Sequence, residues 1–214
     1  MDRIRLSRVL PEVFVSRADI SSEVWQCDVF FERGKTYLIE AASGAGKSSL
    51  CSFLYGYRDD YQGEIFFDDC DIRGLRSSDW TCIRRSHIGQ LFQELRLFPE
   101  LTAWENVAVK NQLTGFHDER TVSEWFDALG IASHRDRRVK YMSFGQQQRV
   151  ALIRALCQPF DFLLADEPVS HLDDHNSRVM GEILQAEADR QGAALILTSI
   201  GKHIDMNYDV RLRL

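Results

Sequence analysis

The chain has 214 residues, of which 44% are hydrophobic, and a formal net charge of −6 at pH 7. This apolar fraction allows one sizeable core and argues against disorder. The negative charge argues against a dedicated nucleic-acid binder, which usually carries a basic face. Because no apolar run reaches the length of a signal peptide or a membrane span, we expect a soluble chain without direct membrane insertion.

Strand-like and helix-like segments alternate along the chain. Loosely alternating residues from Asp2 to Phe31 indicate edge strands. Further strands are expected at Lys35–Ala41, Glu64–Phe67, Phe160–Ala165 and Ala194–Thr198. Helical patterns cover Lys47–Tyr55, Trp104–Asn111, Val122–Leu129 and Gln146–Leu156. Such alternation predicts an α/β protein with a largely parallel sheet and a mostly helical insert in the middle.

The first candidate site is the segment AASGAGKSS, which follows a predicted strand and opens a predicted helix. Its pattern is one residue short of G-x-x-x-x-G-K-[ST], the loop whose backbone N–H groups cradle phosphates. Lys47 would supply a cation to the β- and γ-phosphates, and Ser48 a hydroxyl to Mg²⁺. The alternative is an ordinary Gly/Ser turn. The predicted phosphate contacts are Ala41, Ala42, Ser43, Gly44, Ala45, Gly46, Lys47, Ser48 and Ser49.

Two carboxylates follow a buried strand in the segment FDFLLADEP, residues 160–168. Ligands of open α/β sheets sit at the carboxyl ends of strands. Asp166 would hold Mg²⁺, and Glu167 would orient and polarise an attacking water. Two solvated acids after a strand are the simpler interpretation of this segment alone. Together with the upstream loop, the pair favours a P-loop NTPase.

The segment MSFGQQQRVALIRAL, residues 142–156, begins with a helix-capping serine, Ser143, and could be an ordinary helix start. Here the sequence resembles the ATP-binding cassette (ABC) family. Ser143–Gln146 is similar to that family's S-G-G-Q signature, Gln93 to its Q-loop glutamine, and Ser170–Asp173 to its D-loop. The segment Phe92–Val107 is most similar to bacterial cassettes that power lipoprotein release, macrolide or peptide export, and the cell-division complex.

This resemblance implies one cassette domain spanning residues 1–214. Its fold would be a P-loop NTPase with a RecA-like mixed sheet core, a N-terminal antiparallel β subdomain and an inserted helical subdomain. The core would comprise about residues 1–88 and 157–214, and the helical subdomain about residues 89–156.

The resemblance also implies an ATP-hydrolysing subunit that drives an integral-membrane permease from the cytoplasmic face. Two copies would form a homodimer in which each ATP lies between one phosphate loop and Ser143, Gly145 and Gln146 of the other copy. The surface Arg96–Glu105 would meet the permease. One alternative is a regulatory cassette that dimerises on ATP without transport. A P-loop enzyme outside the family is another, and it leaves Ser143–Arg149 unexplained.

Residue roles follow from the same resemblance. The predicted catalytic residues are Lys47, Gln93, Glu167 and Ser199. The predicted Mg²⁺ ligands are Ser48, Gln93 and Asp166. Phe14 is placed to stack on adenine, with Trp25 as the alternative, although Trp25 is better explained as a core residue.

The chain departs from the family pattern at three positions. Ala41 replaces the leading glycine of the phosphate loop, which is tolerable where φ is negative. Phe144 replaces the first signature glycine. Ser199 stands where the family has a histidine, and it is too short to replace one fully and cannot become cationic. His203 is the other candidate for that role, if its loop turns inward.

Overall fold

Two sheets organise the chain, in a computed structural model that describes residues 1–17 and 20–214. The strands are β1 (Arg3–Pro11), β2 (Asp28–Glu32), β3 (Thr36–Glu40), β4 (Tyr61–Phe67), β5 (Cys70–Asp71), β6 (Ile88–Leu91), β7 (Phe162–Asp166), β8 (Ala194–Ser199) and β9 (Val210–Arg213). One sheet has the order β2-β1-β4-β5 and antiparallel pairs. The other has the order β6-β7-β8-β3-β9 and parallel pairs.

The helices are α1 (Lys47–Leu54), α2 (Ser77–Ser86), α3 (Ala103–Asn111), α4 (Glu119–Ala128), α5 (Phe144–Leu156) and α6 (Asp174–Gln191). Three of them, α3 to α5, lie in the chain between β6 and β7. Helix α3 is capped by Thr102, whose hydroxyl accepts from the Glu105 amide while the Glu105 carboxylate accepts from the Thr102 amide. Such reciprocal capping satisfies backbone donors that a helix start otherwise leaves free. No helix of the described residues has the length and apolar content to cross a membrane.

The parallel sheet is the wall between two hydrophobic clusters. Every residue of β7 is buried, as expected for a strand covered on both faces. Phe162 and Leu164 belong to the cluster with β1, β2, β4 and α1, whereas Leu163 and Ala165 belong to the cluster with α3 to α6. Because side chains alternate along a strand, the sheet joins the antiparallel layer to the helices.

The predicted α/β class with parallel and antiparallel sheets is confirmed. The core sheet was expected to contain both parallel and antiparallel pairs. The five-stranded core sheet instead pairs in parallel throughout, and the antiparallel pairs belong to the other sheet. Three of the four residues of β6 fall inside the range 89–156 assigned to the helical subdomain, yet the strand pairs with β7 in the core sheet. We therefore infer that the helical segment begins after Leu91.

A buried hydrogen-bonding contact joins this helical segment to α6. His117 lies immediately before the cap of α4, and its Nε2 is 3.2 Å from Oε1 of Glu187 on α6. The Glu187 carboxylate also accepts hydrogen bonds from Arg190 and Gln191. Burial acts to raise the pKa of Glu187, but hydrogen bonds from these three partners outweigh it and lower the pKa to about 2.

We expect the Glu187→Gln variant to lose about 2 kcal/mol of unfolding free energy at pH 7, because it removes the charge that its partners satisfy. The folded pKa of about 2 lies below the ordinary value of 4.5, so this contribution is present above pH 4.5 and disappears as the pH falls toward 2. Denaturant unfolding at several pH values measures it.

The matched control is Glu182→Gln, the exposed glutamate of the same helix, with an expected change below about 0.5 kcal/mol. A difference between wild type and Glu187→Gln that stayed constant from pH 7 to pH 3 would contradict the assignment.

Candidate active site

The carboxyl ends of β3, β7 and β8 meet at one edge of the parallel sheet. Asp166 at the end of β7 is paired in register with Thr198 on β8, and Glu40 at the end of β3 with Ser199. The amide of Ala41 donates to the Ser199 carbonyl at 3.1 Å. The phosphate loop and the acidic pair, far apart in sequence, therefore start from the same edge, where ligands of such sheets bind.

The phosphate loop needs glycine at two positions. Gly44 and Gly46 have φ of +77° and +101°, in the left-handed region. A Cβ on Gly46 would lie 3.0 Å from Cε2 of Phe14 and 3.0 Å from Cζ2 of Trp25. Ala41 is not among the residues with positive φ, so this position accommodates a side chain. The first departure from the family pattern therefore causes no backbone strain.

The aromatic rings of Trp25 and Phe14 pack against the phosphate loop. Trp25 is 3% exposed, and its Nε1–H donates to the carbonyl of Ala45 at 2.9 Å. This contact fits the interpretation of Trp25 as a core residue. Phe14 is 6% exposed, and the guanidinium of Arg17 lies 4.1 Å from its ring centroid. A base stacking on that face would have to displace Arg17, so adenine stacking on Phe14 stays a prediction.

Lys47 and Glu167 form an ion pair at the centre of the site. The Lys47 side chain is 5% exposed, and its Nζ is 3.5 Å from Oε1 of Glu167 and 3.4 Å from the carbonyl oxygen of Ala42. Glu167 has φ of +51°, an uncommon conformation for a non-glycine residue. Such strain is concentrated at functional sites. The structure thus brings two predicted catalytic residues into contact.

Residues next to this pair supply further oxygen atoms. The Thr198 hydroxyl donates to Oδ1 of Asp166 at 2.6 Å and accepts from the Glu167 amide at 3.3 Å. The Ser48 hydroxyl donates to Oε1 of Gln93 at 3.4 Å. Carboxylate, amide and hydroxyl oxygens are the donors that Mg²⁺ prefers. The three predicted Mg²⁺ ligands therefore have suitable chemistry, and two of them are in contact.

Near these residues, one turn into α1, the Cys51 thiol is fully buried. Burial first, and then the charge of Asp166, raise its pKa well above the ordinary range. The thiol is therefore neutral and part of the packing between α1 and the sheet.

The signature segment lies at the N-terminus of α5. Ser143 caps the helix by accepting from the Gln146 amide, and Oε1 of Gln146 accepts from the Ser143 amide. Phe144 is 45% exposed, and its ring centroid lies 4.5 Å from that of His171. Within residues 1–17 and 20–214, no hydrogen bond or ion pair joins this segment to the phosphate loop. The structure does not bring these two predicted halves of the site together in one chain.

Ser199 is directed into the protein. It is 1% exposed, and its hydroxyl donates to the Lys202 carbonyl at 2.7 Å. The Lys202 ammonium in turn donates to the Leu172 carbonyl at 2.7 Å and to Asp174 at 3.1 Å. The ring of His203 packs against Tyr208. This conformation leaves no free Ser199 hydroxyl for a phosphate, so its catalytic role stays a prediction.

Three residues that support the site were not predicted from the sequence. Thr198 contacts both members of the acidic pair, Nε2 of Gln148 donates to the Pro168 carbonyl at 2.6 Å, and Nε of Arg149 donates to the Gly145 carbonyl at 3.0 Å. A polar residue at the end of the buried run ALILTS is the signal that could have indicated Thr198. The other two lie in the segment that resembles the signature's usual continuation.

A family model described as ABC transporter matches residues 26–170. The chain therefore belongs to the ABC transporter family, whose members bind ATP. The dimeric structure of MJ0796, described as a bacterial ABC transporter cassette, superposes with a TM-score of 0.76 at 26% identity, covering 91% of this chain and 87% of that one. The post-hydrolysis MJ0796 dimer bound to ADP and Pi gives 0.74 at 25% identity, covering 92% and 87%. The predicted P-loop NTPase fold is thereby confirmed.

Comparison with relatives supports the predicted similarity to a narrower group within this family. The chain is 31% identical over 168 residues to the ABC transporter ATP-binding protein YtrE of Bacillus subtilis, covering 77% of this chain and 73% of YtrE. It is 35% identical over 169 residues to the lipoprotein-releasing system ATP-binding protein LolD 2 of Rhodopseudomonas palustris, with the same coverage. Identity to the macrolide export ATP-binding/permease protein MacB of Shewanella sp. is 33% over 180 residues, covering 83% of this chain and 27% of MacB. Similarity to the lipoprotein-release and macrolide-export group is confirmed.

We expect Gly46→Ala to weaken ATP binding by more than about ten-fold, because left-handed φ costs about 1–2 kcal/mol for a residue with a Cβ. The added Cβ would also contact the buried rings of Phe14 and Trp25, and the Trp25 ring is held by its hydrogen bond to the Ala45 carbonyl. Titration with a fluorescent ATP analogue measures the effect, and thermal unfolding checks that the variant is folded.

Two further variants separate the effect of backbone strain from the effect of the steric clash. Gly44→Ala introduces strain without a clash, since nothing lies within 4 Å, and should fall between wild type and Gly46→Ala. Gly74→Ala has neither strain nor a clash and should bind ATP like wild type. Equal affinities of the Gly46 and Gly74 variants would show that the loop does not require glycine at position 46.

Proposed function

We propose that this chain is the ATP-binding and ATP-hydrolysing subunit of an ABC transporter, and that it drives a membrane partner by ATP-dependent dimer closure. The observation that carries the proposal is the contact between Lys47 and Glu167 at the edge of the parallel sheet. A buried cation beside the phosphate loop suits the β- and γ-phosphates, and the carboxylate next to it suits an attacking water.

Each residue of the site has a defined task in this proposal. Backbone amides of the loop and the Lys47 ammonium bind the phosphates of ATP. Ser48, Gln93 and Asp166 would hold Mg²⁺, which when bound neutralises charge on the phosphoryl oxygens. Glu167 orients the water and accepts its proton, and the Thr198 hydroxyl keeps the Asp166 carboxylate in place.

Closure of a homodimer is supported by the incomplete site of a single chain. The signature segment is exposed at a helix N-terminus, where free backbone amides and the helix dipole favour an anion. Two copies arranged head to tail would place Ser143, Gly145 and Gln146 of one copy against the ATP of the other. The dimeric MJ0796 cassettes support such an assembly.

A membrane partner is supported by the relatives. YtrE is named an ABC transporter ATP-binding protein, LolD 2 an ATP-binding protein of a lipoprotein-releasing system, and MacB a macrolide export ATP-binding/permease protein. We infer an integral-membrane permease as the partner, with the cassette held at the inner face of the membrane through it. Opening and closing of the cassette dimer would then gate the permease.

We expect Glu167→Gln to retain ATP binding and ATP-induced dimerisation while its turnover falls about 100-fold or more, because the amide cannot accept the proton of water. Phosphate release measures turnover, and gel filtration with ATP measures the dimer. Glu64→Gln, an exposed glutamate in the antiparallel sheet, is the matched control and should behave as wild type.

Unchanged turnover in Glu167→Gln would remove Glu167 from its role. Turnover without any ATP-dependent dimer would instead contradict the shared site. Purification from native membranes tests the proposed role in transport. Isolation of the chain only as a monomer with no membrane partner would overturn that role.

A further inference from the structure

The end of β8 offers no imidazole to a bound phosphate. Ser199 stands there, and its buried hydroxyl donates to a backbone carbonyl of its own loop. His203, the histidine next in sequence, packs its ring against Tyr208. Within residues 1–17 and 20–214, no hydrogen bond joins a histidine to the side chain of Lys47 or Glu167. In this conformation, a γ-phosphate bound by Lys47 has no imidazole donor from the same chain.

A different histidine lies against the signature segment. His171, in the D-loop segment Ser170–Asp173, is exposed, and its ring meets that of Phe144 edge to face, with 4.5 Å between centroids and 65° between planes. Edge-to-face pairs are favourable beyond the area that they bury. Because Phe144 replaces a glycine of the family pattern, this support for the imidazole depends on the departure itself. His171 is thereby held at the same surface as the signature segment.

The hydrogen bonds of His171 leave one ring nitrogen free. The Ser170 hydroxyl donates to the Glu167 carbonyl at 3.3 Å and lies 2.9 Å from Nδ1 of His171. Since a hydroxyl has a single proton, Ser170 accepts from Nδ1–H. Nε2 has no hydrogen-bond partner in the part of the chain that the structure describes. In the imidazolium form both nitrogens donate, so Nε2 can donate to a phosphate oxygen while Nδ1 keeps its bond to Ser170.

His134 also lies beside the signature segment, but its ring is already engaged. Its Nε2 is 3.1 Å from the side-chain amide nitrogen of Gln146, and its Nδ1 is 3.1 Å from the Ser133 hydroxyl. His87 and His117 each contact a carboxylate. Among the described residues, His171 is therefore the histidine that combines contact with the signature segment and a free ring nitrogen.

We propose that His171 of one copy donates a hydrogen bond from Nε2 to the γ-phosphate of the ATP bound by the other copy, in place of a histidine at position 199. This inference rests on the proposed function, because it needs the head-to-tail dimer, and it adds a catalytic residue supplied across that dimer. The signature segment faces the other copy's ATP there, and His171 packs directly on it. A donor at the phosphoryl oxygens stabilises charge in the transition state. His171 transfers no proton, since Glu167 accepts the proton of the attacking water.

We expect His171→Ala to lower kcat about ten-fold or more while the KM for ATP changes less than about three-fold, because the lost donor acts mainly on the transition state. His171→Gln, whose amide donates without a charge, should have an intermediate kcat. The matched control is His175→Ala, on an exposed histidine in the first turn of α6, and it should turn over like wild type. Phosphate release measures turnover, and thermal unfolding and gel filtration with ATP check that each variant folds and dimerises.

Mixing two impaired variants tests whether His171 acts across the dimer. Copies of Glu167→Gln and His171→Ala are combined before ATP is added, and about half of the dimers are then mixed. In each mixed dimer, the ATP of the His171→Ala copy has Glu167 from that copy and His171 from the other. Turnover of the mixture should therefore exceed the mean of the two variants about five-fold or more.

The control mixture combines Glu167→Gln with Lys47→Ala. These two residues contact each other within one chain and act on the same ATP. No mixed dimer then contains a complete site, so this mixture should show no gain over the mean of its two variants.

Several outcomes would overturn the assignment of His171. One is an unchanged kcat in His171→Ala, and another is an equal loss in His175→Ala. A first mixture without a gain would place the effect of His171 within its own copy. A gain in the control mixture would show that Lys47 and Glu167 do not serve the same ATP.

Failure of the proposed function is distinguishable from failure of this inference. If the wild-type chain neither hydrolyses ATP nor dimerises with it, the proposed function fails. If it does both and the first mixture shows no gain, the assignment of His171 alone fails.

Discussion

A buried ammonium requires an anion, and this requirement organises the site. The Lys47 side chain is almost completely buried, and the carboxylate of Glu167 lies against it. The two residues come from segments separated by the whole helical insert. They meet because β3, β8 and β7 pair in parallel, so that their carboxyl ends share one edge. The same pairing aligns Thr198 with Asp166 and thereby supplies the hydroxyl that holds the carboxylate. The chemistry of the site therefore depends on strand register as much as on the phosphate loop.

The parts of the site that are local in sequence could be predicted. The phosphate loop and the acidic pair each consist of a few consecutive residues, and their residue types state their chemistry directly. Contacts between distant segments could not be predicted in the same way. The bond from Trp25 to Ala45 and the contact of Phe144 with His171 depend on how layers pack, and a single sequence does not contain that information. The exposure of Phe14 and the direction of Ser199 belong to this second group.

The strands and helices divide in the same way into those that the sequence predicted and those that it did not. Apolar runs such as Phe160–Ala165 predicted buried strands, and the structure contains β7 at Phe162–Asp166. Helix α2 was missed because none of its residues is fully buried, and its contact with the core rests on the partly buried Trp80 and Ile83. Strand β6 has four residues, too few to show a period, whereas the alternating apolar and charged residues of β9 are a strand signal that the prediction did not use. Helix α6 carries a signal that the prediction did not use: Met180, Leu184 and Ala188 recur at helical spacing and are buried, and Gly192 ends the helix in the left-handed conformation.

The departures from the family pattern are accommodated by neighbouring residues. Phe144, in place of a glycine, packs its ring against His171, and a Cβ on the adjacent Gly145 would lie 3.3 Å from Leu172. Lys202, three residues after Ser199, donates to the carbonyl of Leu172. The signature, the D-loop and the loop that follows β8 therefore form one continuous contact in a single chain. A histidine at position 199 is one way to link the end of β8 to the rest of such a site. Here the Lys202 ammonium provides a link to the D-loop instead, and it acts on the same residues that Phe144 and Gly145 contact.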